Sequence, residues 1–367
     1  MTEPTKYGLI GCGMMGHEHL RNIALLKNAQ VTVIFEPDAT MAASALETAK
    51  GARLADSLAD LLAQPDIDCL VITSPNYCHL GQLQEIAKSR HLPILVEKPL
   101  FTNPADLNAL EEFERSYTAP VWVAMEYRYM PPVTTFADQA SRATGGIKML
   151  SIREHRFPFL SKVDDWNRFS AKTGGTFVEK CCHFFDLMRF LIGSEPTRIM
   201  ASASQAVNHL EERYDGMAPD ILDNGYVIVD FQNGARAMLE LCMFAEGADY
   251  QEEISALGPA GKLEAKVPGP GRFWPEHLGS APLPLLIESP REPKGPIIKE
   301  IPVDTAVLEA GDHNGATFYQ HQKFIALVRG ELLSPDVSLS DGKKAVLMGF
   351  AAQQSAASGR AVDIDWN

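Results

Sequence analysis

Residues 7–16 read YGLIGCGMMG, a short apolar run followed directly by three closely spaced glycines. A G-x-G-x-x-G pattern between a strand and a helix is typical of the turn that binds a dinucleotide. The first glycine allows the tight turn, the second lets a pyrophosphate approach the backbone, and the third lets the helix pack closely on the strand. The free N–H groups at the start of the helix then hold the diphosphate. The loop residues that we expect to contact a dinucleotide are Gly11, Gly13, Met14, Met15 and Gly16.

A carboxylate follows at the distance that such a unit needs. The next apolar run, VTVIFE, ends at Glu36, twenty residues after Gly16. A carboxylate at this point accepts hydrogen bonds from both hydroxyls of the adenosine ribose and repels a 2′-phosphate. NAD is therefore favoured over NADP as the cofactor. The alternative is a glycine turn in a Rossmann-like domain that binds no dinucleotide.

Apolar runs and helical patterns alternate through the first third of the chain. The apolar runs span residues 7–11, 31–36, 68–74, 94–98 and 121–125, and helical spacing recurs between them. Strands that alternate with helices in this way predict βαβ units and a parallel sheet covered on both faces. We expect a doubly wound Rossmann domain over residues 1–126.

The pattern changes after residue 126. Alternating segments that predict a mostly antiparallel open sheet lie at 147–157, 197–208, 225–232, 235–244, 250–257 and 297–303. Helical patterns lie at 175–192, 313–330 and 340–357, and nine prolines between residues 268 and 302 predict an extended excursion. The expected fold class is α/β, with a C-terminal α+β domain over residues 127–367 whose last helices pack back on the Rossmann domain.

The composition limits the class of partner. The formal net charge is −14 and the pI about 5.2, so no broad basic surface is available to attract nucleic acid or anionic lipid. No apolar run approaches the roughly 18 residues of a membrane span, and the first residues lack the pattern of a signal peptide. We expect a cytoplasmic protein with no membrane partner. The six cysteines have no metal-type spacing, so no metal site is expected.

Two predicted strand ends carry residues suited to chemistry. They read TSPNYCH at 73–79 and VEKP at 96–99. Ligands of doubly wound sheets bind at the carboxyl ends of the strands. Lys98 would point from that edge towards a nicotinamide, on a bend set by Pro99. The alternative is a solvated surface charge.

The segment GGTFVEKCCHFFDLMRFL at 174–191 offers an acid–base pair. A helix that starts after its glycine pair places Glu179 and His183 on one face, with Asp186 one turn further along. A carboxylate beside an imidazole stabilises the imidazolium and fixes the ring, which suits a general base for an alcohol proton. The alternative is an amphipathic helix with an ion pair.

Together these motifs resemble the Gfo/Idh/MocA oxidoreductase family. The resemblance covers essentially the whole chain and rests on GCGMMG at 11–16, SPN at 74–76 followed by His79, EKP at 97–99, and the glycine pair that leads to His183 and Asp186. It implies catalysis between a Rossmann domain and a C-terminal α/β domain whose open sheet often forms an oligomer interface, in a homodimer or homotetramer. It adds the cofactor-binding residues Ser74, Pro75, Asn76, His79, Glu97 and Lys98.

The resemblance also implies the residues that act on substrate. In the inositol dehydrogenase branch, the lysine of the E-K-P motif and a D-x-x-x-H pair surround the reacting hydroxyl, which by position gives Lys98, Glu179 and His183 as catalytic residues. Glu179 is one methylene longer than the family's aspartate, and Lys180 stands beside it. Residues 153–169 look like the substrate-side loop of inositol and sugar dehydrogenases. The substrate-binding residues expected on these grounds are Tyr127, Arg128, Trp166, Asn167, Arg168, Lys180 and His313.

The expected reaction is the reversible NAD-dependent oxidation of a secondary hydroxyl on a cyclic polyol or sugar. His183 would take the hydroxyl proton while a hydride passes to the nicotinamide, and Lys98 would stabilise negative charge on the oxygen. Two other interpretations share the fold: a glycosidase that retains its NAD, and a non-enzymatic sugar sensor that binds dinucleotide. The complete proton-transfer set favours the dehydrogenase over the sensor. Which polyol or sugar is bound depends on geometry that the sequence does not give.

Overall fold

The apolar runs of the first third form one parallel sheet in the computed structural model, which describes residues 3–366. The order is β3-β2-β1-β4-β5-β6, and each neighbouring pair is parallel. Its central strands are almost wholly buried because helices cover both faces. The strands are β1 (Thr5–Ile10), β2 (Ala29–Phe35), β3 (Arg53–Leu54), β4 (Cys69–Ile72), β5 (Ile94–Val96) and β6 (Val121–Val123).

Helices alternate with these strands, which confirms the predicted doubly wound arrangement. The helices are α1 (Met14–Ala24), α2 (Ala39–Thr48), α3 (Leu58–Leu62), α4 (His79–Ala87) and α5 (Leu107–Ser116). The sequence analysis did not predict β3 and α3, because strands of two residues and helices of five are too short to show a period.

The strand order reverses direction beside β1. This strand pairs with β2 on one side and with β4 on the other, so the loops that follow β1 and β4 diverge from a common point. In open α/β sheets, this switch point is where ligands bind.

The second sheet has nine strands in the order β14-β13-β12-β11-β7-β10-β9-β8-β15. Only the β7–β10 pair is parallel among the strands described, which confirms the predicted mostly antiparallel sheet. The strands are β7 (Met149–His155), β8 (Pro196–Ser204), β9 (Asn224–Phe231), β10 (Arg236–Cys242), β11 (Glu252–Leu257), β12 (Gly261–Val267), β13 (Leu285–Pro290), β14 (Ile297–Glu300) and β15 (Val362–Asp363). The helices are α6 (Pro131–Thr144), α7 (Ser170–Thr173), α8 (Thr176–Glu179), α9 (Cys182–Ile192), α10 (Thr305–Glu309), α11 (Ala316–Val328) and α12 (Leu339–Ser358).

Burial alternates along the central strands of this second sheet, because α6, α9 and α12 cover one face only. On the other face Met200 lies opposite Ile228, which in turn lies opposite Met238, and all three side chains are exposed. We call this surface, centred on these three residues, the open face.

Two predicted segments differ from the structure. The helix expected at 175–192 is two helices, because α8 ends at Glu179 and α9 begins at Cys182. The excursion expected at 268–302 is irregular only in its first half, where 3-10 turns span Gly271–Phe273 and Glu276–Leu278. Its second half forms β13 and β14 at the sheet edge, since antiparallel pairing at an edge tolerates proline.

The C-terminal helices lie against the first sheet. His321 of α11 contacts His19 of α1 through ring nitrogens 2.8 Å apart, and Arg329 donates to the carbonyl oxygen of Asn28. The backbone N–H of Val123 in β6 donates to the carbonyl oxygen of Val337. Across residues 3–366, none of the helices combines the length and the apolar character that crossing a membrane requires.

Candidate active site

Each glycine in the loop after β1 has its own structural reason. Gly11 has φ +89°, and a Cβ on it would lie 2.6 Å from the backbone nitrogen of Ser74. A Cβ on Gly16 would lie 2.5 Å from the carbonyl oxygen of Gly11, whereas one on Gly13 would meet no described atom within 4 Å. Gly11 and Gly16 therefore let α1 and the β4 loop close on the turn, and Gly13 leaves the start of α1 open.

Glu36 is fixed at the end of β2 beside this loop. One carboxylate oxygen accepts from the backbone N–H of Cys12, and the other accepts from that of Asp38 at 2.9 Å. The carboxylate is thus held at the position where an adenosine ribose is bound in this fold.

A cavity of about 530 Å³ runs along this edge of the sheet. We call it the cofactor cavity, because the open helix start and the fixed carboxylate fit the diphosphate and the ribose of a dinucleotide. The predicted cofactor residues that line it are Gly11, Gly13, Met14, Met15, Glu36, Ser74, Pro75, Asn76, Glu97 and Lys98.

Two predicted cofactor residues do not line the cofactor cavity but lie behind the residues that do. Gly16 packs on the glycine loop, as described above. The ring nitrogens of His79 lie 2.7 Å from the Pro99 carbonyl oxygen and 2.9 Å from that of Ser74, and its side chain is fully buried. His79 therefore joins the loops after β4 and β5 and shapes the cavity from behind.

A smaller cavity of about 110 Å³ adjoins it, and we call this the reactive pocket. Both cavities are bordered by Met14, Met15, Lys98 and Lys162. The predicted catalytic and substrate residues that the reactive pocket brings together are Lys98, Tyr127, Asn167, Glu179, Lys180, His183 and His313.

The imidazole of His183 is buried and neutral. Its ring stacks on that of Tyr127, with centroids 4.2 Å apart and planes 8° apart. Burial, together with the positive charges of Lys98 and Lys180, holds the pKa of His183 well below its usual value. Its Nδ1 has no hydrogen-bond partner among residues 3–366. His183 thus offers a nitrogen lone pair, as a general base must.

This corrects the expected carboxylate–imidazole pair. Glu179 forms an ion pair with Lys162 at 3.2 Å, and the described residues show no hydrogen bond between Glu179 and His183. Asp186 instead holds Arg128 through two hydrogen bonds of 2.6 Å. The carboxylate of Glu179 is thus engaged by Lys162, and burial with the nearby cations keeps His183 neutral.

Lys98 keeps its charge at the border of the two cavities. Its Nζ donates to the carbonyl oxygen of Glu179 at 3.1 Å. Burial works against the ammonium, but the neighbouring Cys182, Glu97 and Glu179 outweigh it and raise the pKa of Lys98. A cation and a neutral imidazole therefore face one pocket, and the cation adds to the effects that keep His183 neutral.

A second histidine in the pocket, His313, is protonated, unlike His183. Nδ1 of His313 donates to Glu18 at 2.8 Å and lies 3.4 Å from Glu126. Burial opposes the charged imidazole, but the attraction of Glu126 and Glu18 overcomes it and raises the pKa of His313 to about 9. His313 is therefore an imidazolium near neutral pH.

Thr317 lies between the two carboxyl groups of this cluster. Its hydroxyl lies 2.9 Å from Glu18 and 2.6 Å from Glu126, although it has one proton to donate. Burial raises the pKa of Glu126, against the opposing charge of His313. The ligand atoms of Glu18, Glu126 and His313 lie within 4.8 Å of one another, as a metal site would need, but the imidazolium already supplies the positive charge there.

Lys180 is buried below the ring of Tyr127. Its Nζ lies 2.7 Å from Glu154 and 2.5 Å from the Tyr127 hydroxyl. Glu154 faces Glu252 directly across β7 and β11. Burial and the charge of Glu154 raise the pKa of Glu252 to about 7. Lys180 therefore supports Tyr127 and partly neutralises two carboxyl groups behind the pocket wall.

Three predicted substrate residues lie outside the reactive pocket. Arg128 is buried against Asp186, and Arg168 is buried against Glu212, whose oxygen lies 2.9 Å from its Nε. Each guanidinium is paired with a carboxylate, although Nη1 of Arg168 has no hydrogen-bond partner among residues 3–366. Trp166 lines the cofactor cavity, with Lys162 Nζ 4.4 Å from its ring centre.

Several residues of the pocket wall were not predicted from the sequence. Glu126 follows the end of β6, at the same sheet edge as Lys98, so its position was a usable signal. Lys162 and Arg156 lie in the segment already assigned to substrate. Glu18 is one turn into α1, and only the fold brings it beside His313.

Two models of known protein families match this chain. A family model described as "Oxidoreductase family, NAD-binding Rossmann fold" matches residues 5–125. Its companion, described as "Oxidoreductase family, C-terminal alpha/beta domain", matches residues 142–364. The two matched regions contain the two sheets described above.

Curated relatives and solved structures agree with this match. The chain is 24% identical to myo-inositol 2-dehydrogenase of Thermotoga maritima, across 98% of both chains. It is 26% identical to inositol 2-dehydrogenase of Corynebacterium glutamicum, across 66% of this chain and 68% of that protein. A levoglucosan dehydrogenase solved with NADH and levoglucosan has the same fold, with a TM-score of 0.79, 20% identity, and coverage of 98% of this chain and 99% of that one.

Proposed function

The chain belongs to the Gfo/Idh/MocA family of oxidoreductases with an NAD-binding Rossmann domain, and we propose that it reversibly oxidises a secondary hydroxyl of a cyclic polyol or sugar. The relatives named above act on inositol or levoglucosan by their descriptions, which supports this class of substrate.

One observation carries the proposal that the substrate has many hydroxyl groups. Four polar atoms on buried residues of the reactive pocket have no hydrogen-bond partner within residues 3–366: Glu179 Oε2, Asn167 Oδ1, Glu126 Oε1 and His183 Nδ1. Unpaired polar atoms are costly in a folded protein. A ring that carries several hydroxyl groups supplies donors to such a set of acceptors.

The charge states in the pocket assign the roles in the reaction. His183 accepts the hydroxyl proton, because its imidazole is neutral and its orientation is fixed by Tyr127. Lys98 stays protonated and stabilises the negative charge that develops on the substrate oxygen. NAD, when bound in the cofactor cavity, supplies the hydride acceptor, and the product is a ketone or lactone.

The remaining groups position the ring. Glu179 is held by Lys162 through one oxygen and presents the other as an acceptor. His313 is a fixed cation on a different part of the wall and donates a hydrogen bond to a substrate oxygen. The longer side chain of Glu179 therefore acts in binding, and His183 performs the proton transfer without a carboxylate partner.

The cofactor preference follows from Glu36. Its carboxylate suits the two ribose hydroxyls of NAD and opposes the 2′-phosphate of NADP.

We further propose that the chain divides into two domains between residues 126 and 127. We also propose that a second copy of the chain covers the open face. The six cysteines are free thiols, which fits the reducing cytoplasm that we propose as its location.

The test is absorbance at 340 nm with NAD and a panel of inositols, aldoses and glycosides, repeated with NADP. Stereoselective formation of NADH supports the dehydrogenase. No change in absorbance, despite NAD binding, contradicts it and favours the NAD-retaining glycosidase or the sensor. Measuring released aglycone in the same mixtures separates those two.

A further inference from the structure

A third cavity, of about 870 Å³, lies beside the reactive pocket. Its walls are α1, the irregular chain from Pro268 to Pro284, and the region around α10. We call it the outer cavity. Its volume lies within the roughly 300–1,000 Å³ that small-molecule sites occupy, and none of the steps derived above uses it.

The outer cavity adjoins the reactive pocket. Met14, Glu18, Pro270 and Asp312 border both spaces. Met14 also borders the cofactor cavity, so the three spaces meet at one side chain. This shared border is where a molecule whose reacting ring occupies the reactive pocket would extend into the outer cavity.

The outer cavity is lined by two arginines, Arg21 and Arg272, and by three carboxylates, Glu18, Glu309 and Asp312. Arg272 binds the carboxylate of Asp312 through Nε and Nη2, and Arg21 donates to the carbonyl oxygen of Ala310 at 2.9 Å. Glu18 is paired with His313. A phosphate group is disfavoured in this cavity, because the lining carboxylates outnumber the arginines.

The other wall is apolar and open to a ligand. Leu283 and Leu308 are 45% and 39% exposed, and prolines lie beside them. An apolar wall of this kind suits the C–H face of a sugar ring or an aromatic group. The ligand that fits this space is neutral and ring-shaped.

We propose that the substrate is a neutral glycoside, with the oxidised ring in the reactive pocket and its second ring, a sugar or an aryl group, in the outer cavity. This inference rests on the proposed function for the identity of the oxidised ring. It deepens that proposal, since it makes a free monosaccharide or inositol the poorer substrate.

The test compares each free sugar with its phenyl glycoside and with a disaccharide, by kcat/KM at saturating NAD. We expect wild-type protein to favour the glycosides by about tenfold or more, which corresponds to roughly 1.4 kcal/mol of added binding. Leu283→Trp and Leu308→Trp place bulk in the outer cavity. They should remove that preference and leave the free sugar within about twofold of wild type.

Leu278→Trp is the matched control, because Leu278 is exposed in the same irregular chain and does not line the cavity. The thermal midpoint of each variant shows that it is folded. Equal kcat/KM for free sugar and glycoside in wild type, or an equal loss for both in the two cavity variants, would overturn the proposal. Preferential use of a nucleotide sugar would overturn the neutral class.

A binding measurement separates this proposal from the proposed function. Phenyl glycoside is titrated calorimetrically into the protein with NADH, a mixture that has no oxidant for the sugar. Binding that is lost in both cavity variants but kept in Leu278→Trp supports the outer cavity even if no oxidation occurs. Oxidation of free sugars with no glycoside binding supports the proposed function alone.

Discussion

The imidazole of His183 lies almost parallel to the phenol ring of Tyr127, with the two ring centres 4.2 Å apart. The phenol hydroxyl is in turn held by Lys180 at 2.5 Å. The face of the Tyr127 ring therefore orients the imidazole of His183, and Lys180 holds the hydroxyl end of that ring. The usual means of orienting a catalytic histidine, a carboxylate at the second ring nitrogen, is not found among the described contacts of His183.

Removing the ring should therefore misalign the base. We expect Tyr127→Leu to lower kcat by about 10- to 100-fold, since a small displacement of a catalytic group costs that much. Tyr127→Phe keeps the stacked ring and should stay within about threefold of wild type. Steady-state kinetics with the preferred substrate measures both. Equal losses in the two variants would show that the hydroxyl, and not the ring face, is what matters.

Removing the general base should lower kcat and leave the affinity for NAD nearly unchanged. We expect His183→Ala to lower kcat by about 10²- to 10⁴-fold, the usual contribution of general-base catalysis, with nearly unchanged NAD affinity. Lys98→Met should be similarly impaired. NAD affinity is followed by fluorescence titration. Turnover like that of wild type in His183→Ala would remove His183 from the mechanism, and a change in KM alone would make Lys98 a binding residue only.

The pair formed by His313 and Glu18 should make stability depend on pH. The pKa of His313 is raised to about 9, so its contribution is complete below its ordinary value of 6.5 and is lost as pH rises towards 9. Burial opposes ionisation of Glu18, but His313 and its hydrogen bonds lower its pKa to about 2, so its contribution persists above 4.5 and is lost only as pH falls towards 2.

We therefore expect the thermal midpoint to fall between pH 6.5 and pH 9 by more in wild type than in Glu18→Gln, where the pair is absent. The difference in unfolding free energy is on the order of 1–3 kcal/mol. His277→Gln, at an exposed histidine, is the control and should follow wild type. Identical pH profiles for Glu18→Gln and wild type would contradict the ion pair.

Glu36 should set the choice between the two nicotinamide cofactors. Replacing it with alanine removes the acceptor for the ribose hydroxyls and the repulsion of a 2′-phosphate. We expect the ratio of kcat/KM for NAD to that for NADP to fall by about 10-fold or more, since each 1.4 kcal/mol is a factor of ten. Glu47→Ala, at an exposed position of α2, should leave the ratio unchanged. An unchanged ratio in Glu36→Ala would mean that another group selects the cofactor.

Gly13 and Gly16 should respond differently to a methyl group. A Cβ on Gly13 meets open space in the cofactor cavity, so Gly13→Ala should fold normally and bind NAD at least about tenfold more weakly. A Cβ on Gly16 meets the carbonyl oxygen of Gly11, so Gly16→Ala should lower the thermal midpoint. Thermal melts with and without NAD distinguish the two. Normal NAD binding by Gly13→Ala would contradict the assigned diphosphate position.

The sequence predicted the features that depend on local order along the chain. The alternation of strands and helices, the glycine loop and the strand-end positions of Glu36 and Lys98 are all local patterns, and the structure shows them. The strand β12 and the helix α6 were missed, although the residues of β12 alternate between apolar and polar as those of a half-buried strand do, so its local pattern was a usable signal.

Properties that depend on partners far along the chain could not be predicted in the same way. Arg128 and Arg168 looked available for substrate, but their carboxylate partners lie 58 and 44 residues away in sequence. The charge of His313 depends on Glu18, 295 residues away, and the neutrality of His183 depends on cations from several elements. Sequence patterns identify which groups can ionise, whereas the fold decides which of them do.

The contact between His19 and His321 limits how the chain can be divided. Glu97 of the cofactor cavity lies 3.0 Å from His19, and His19 contacts His321 on α11, which is 302 residues later in the chain. Helix α11, near the far end of the chain, therefore supports the side of the cofactor cavity that the first sheet forms. A chimera that exchanges residues 1–126 with those of another protein would also have to exchange α11. The residues that build and support the cofactor cavity are contiguous in space but separated in the gene.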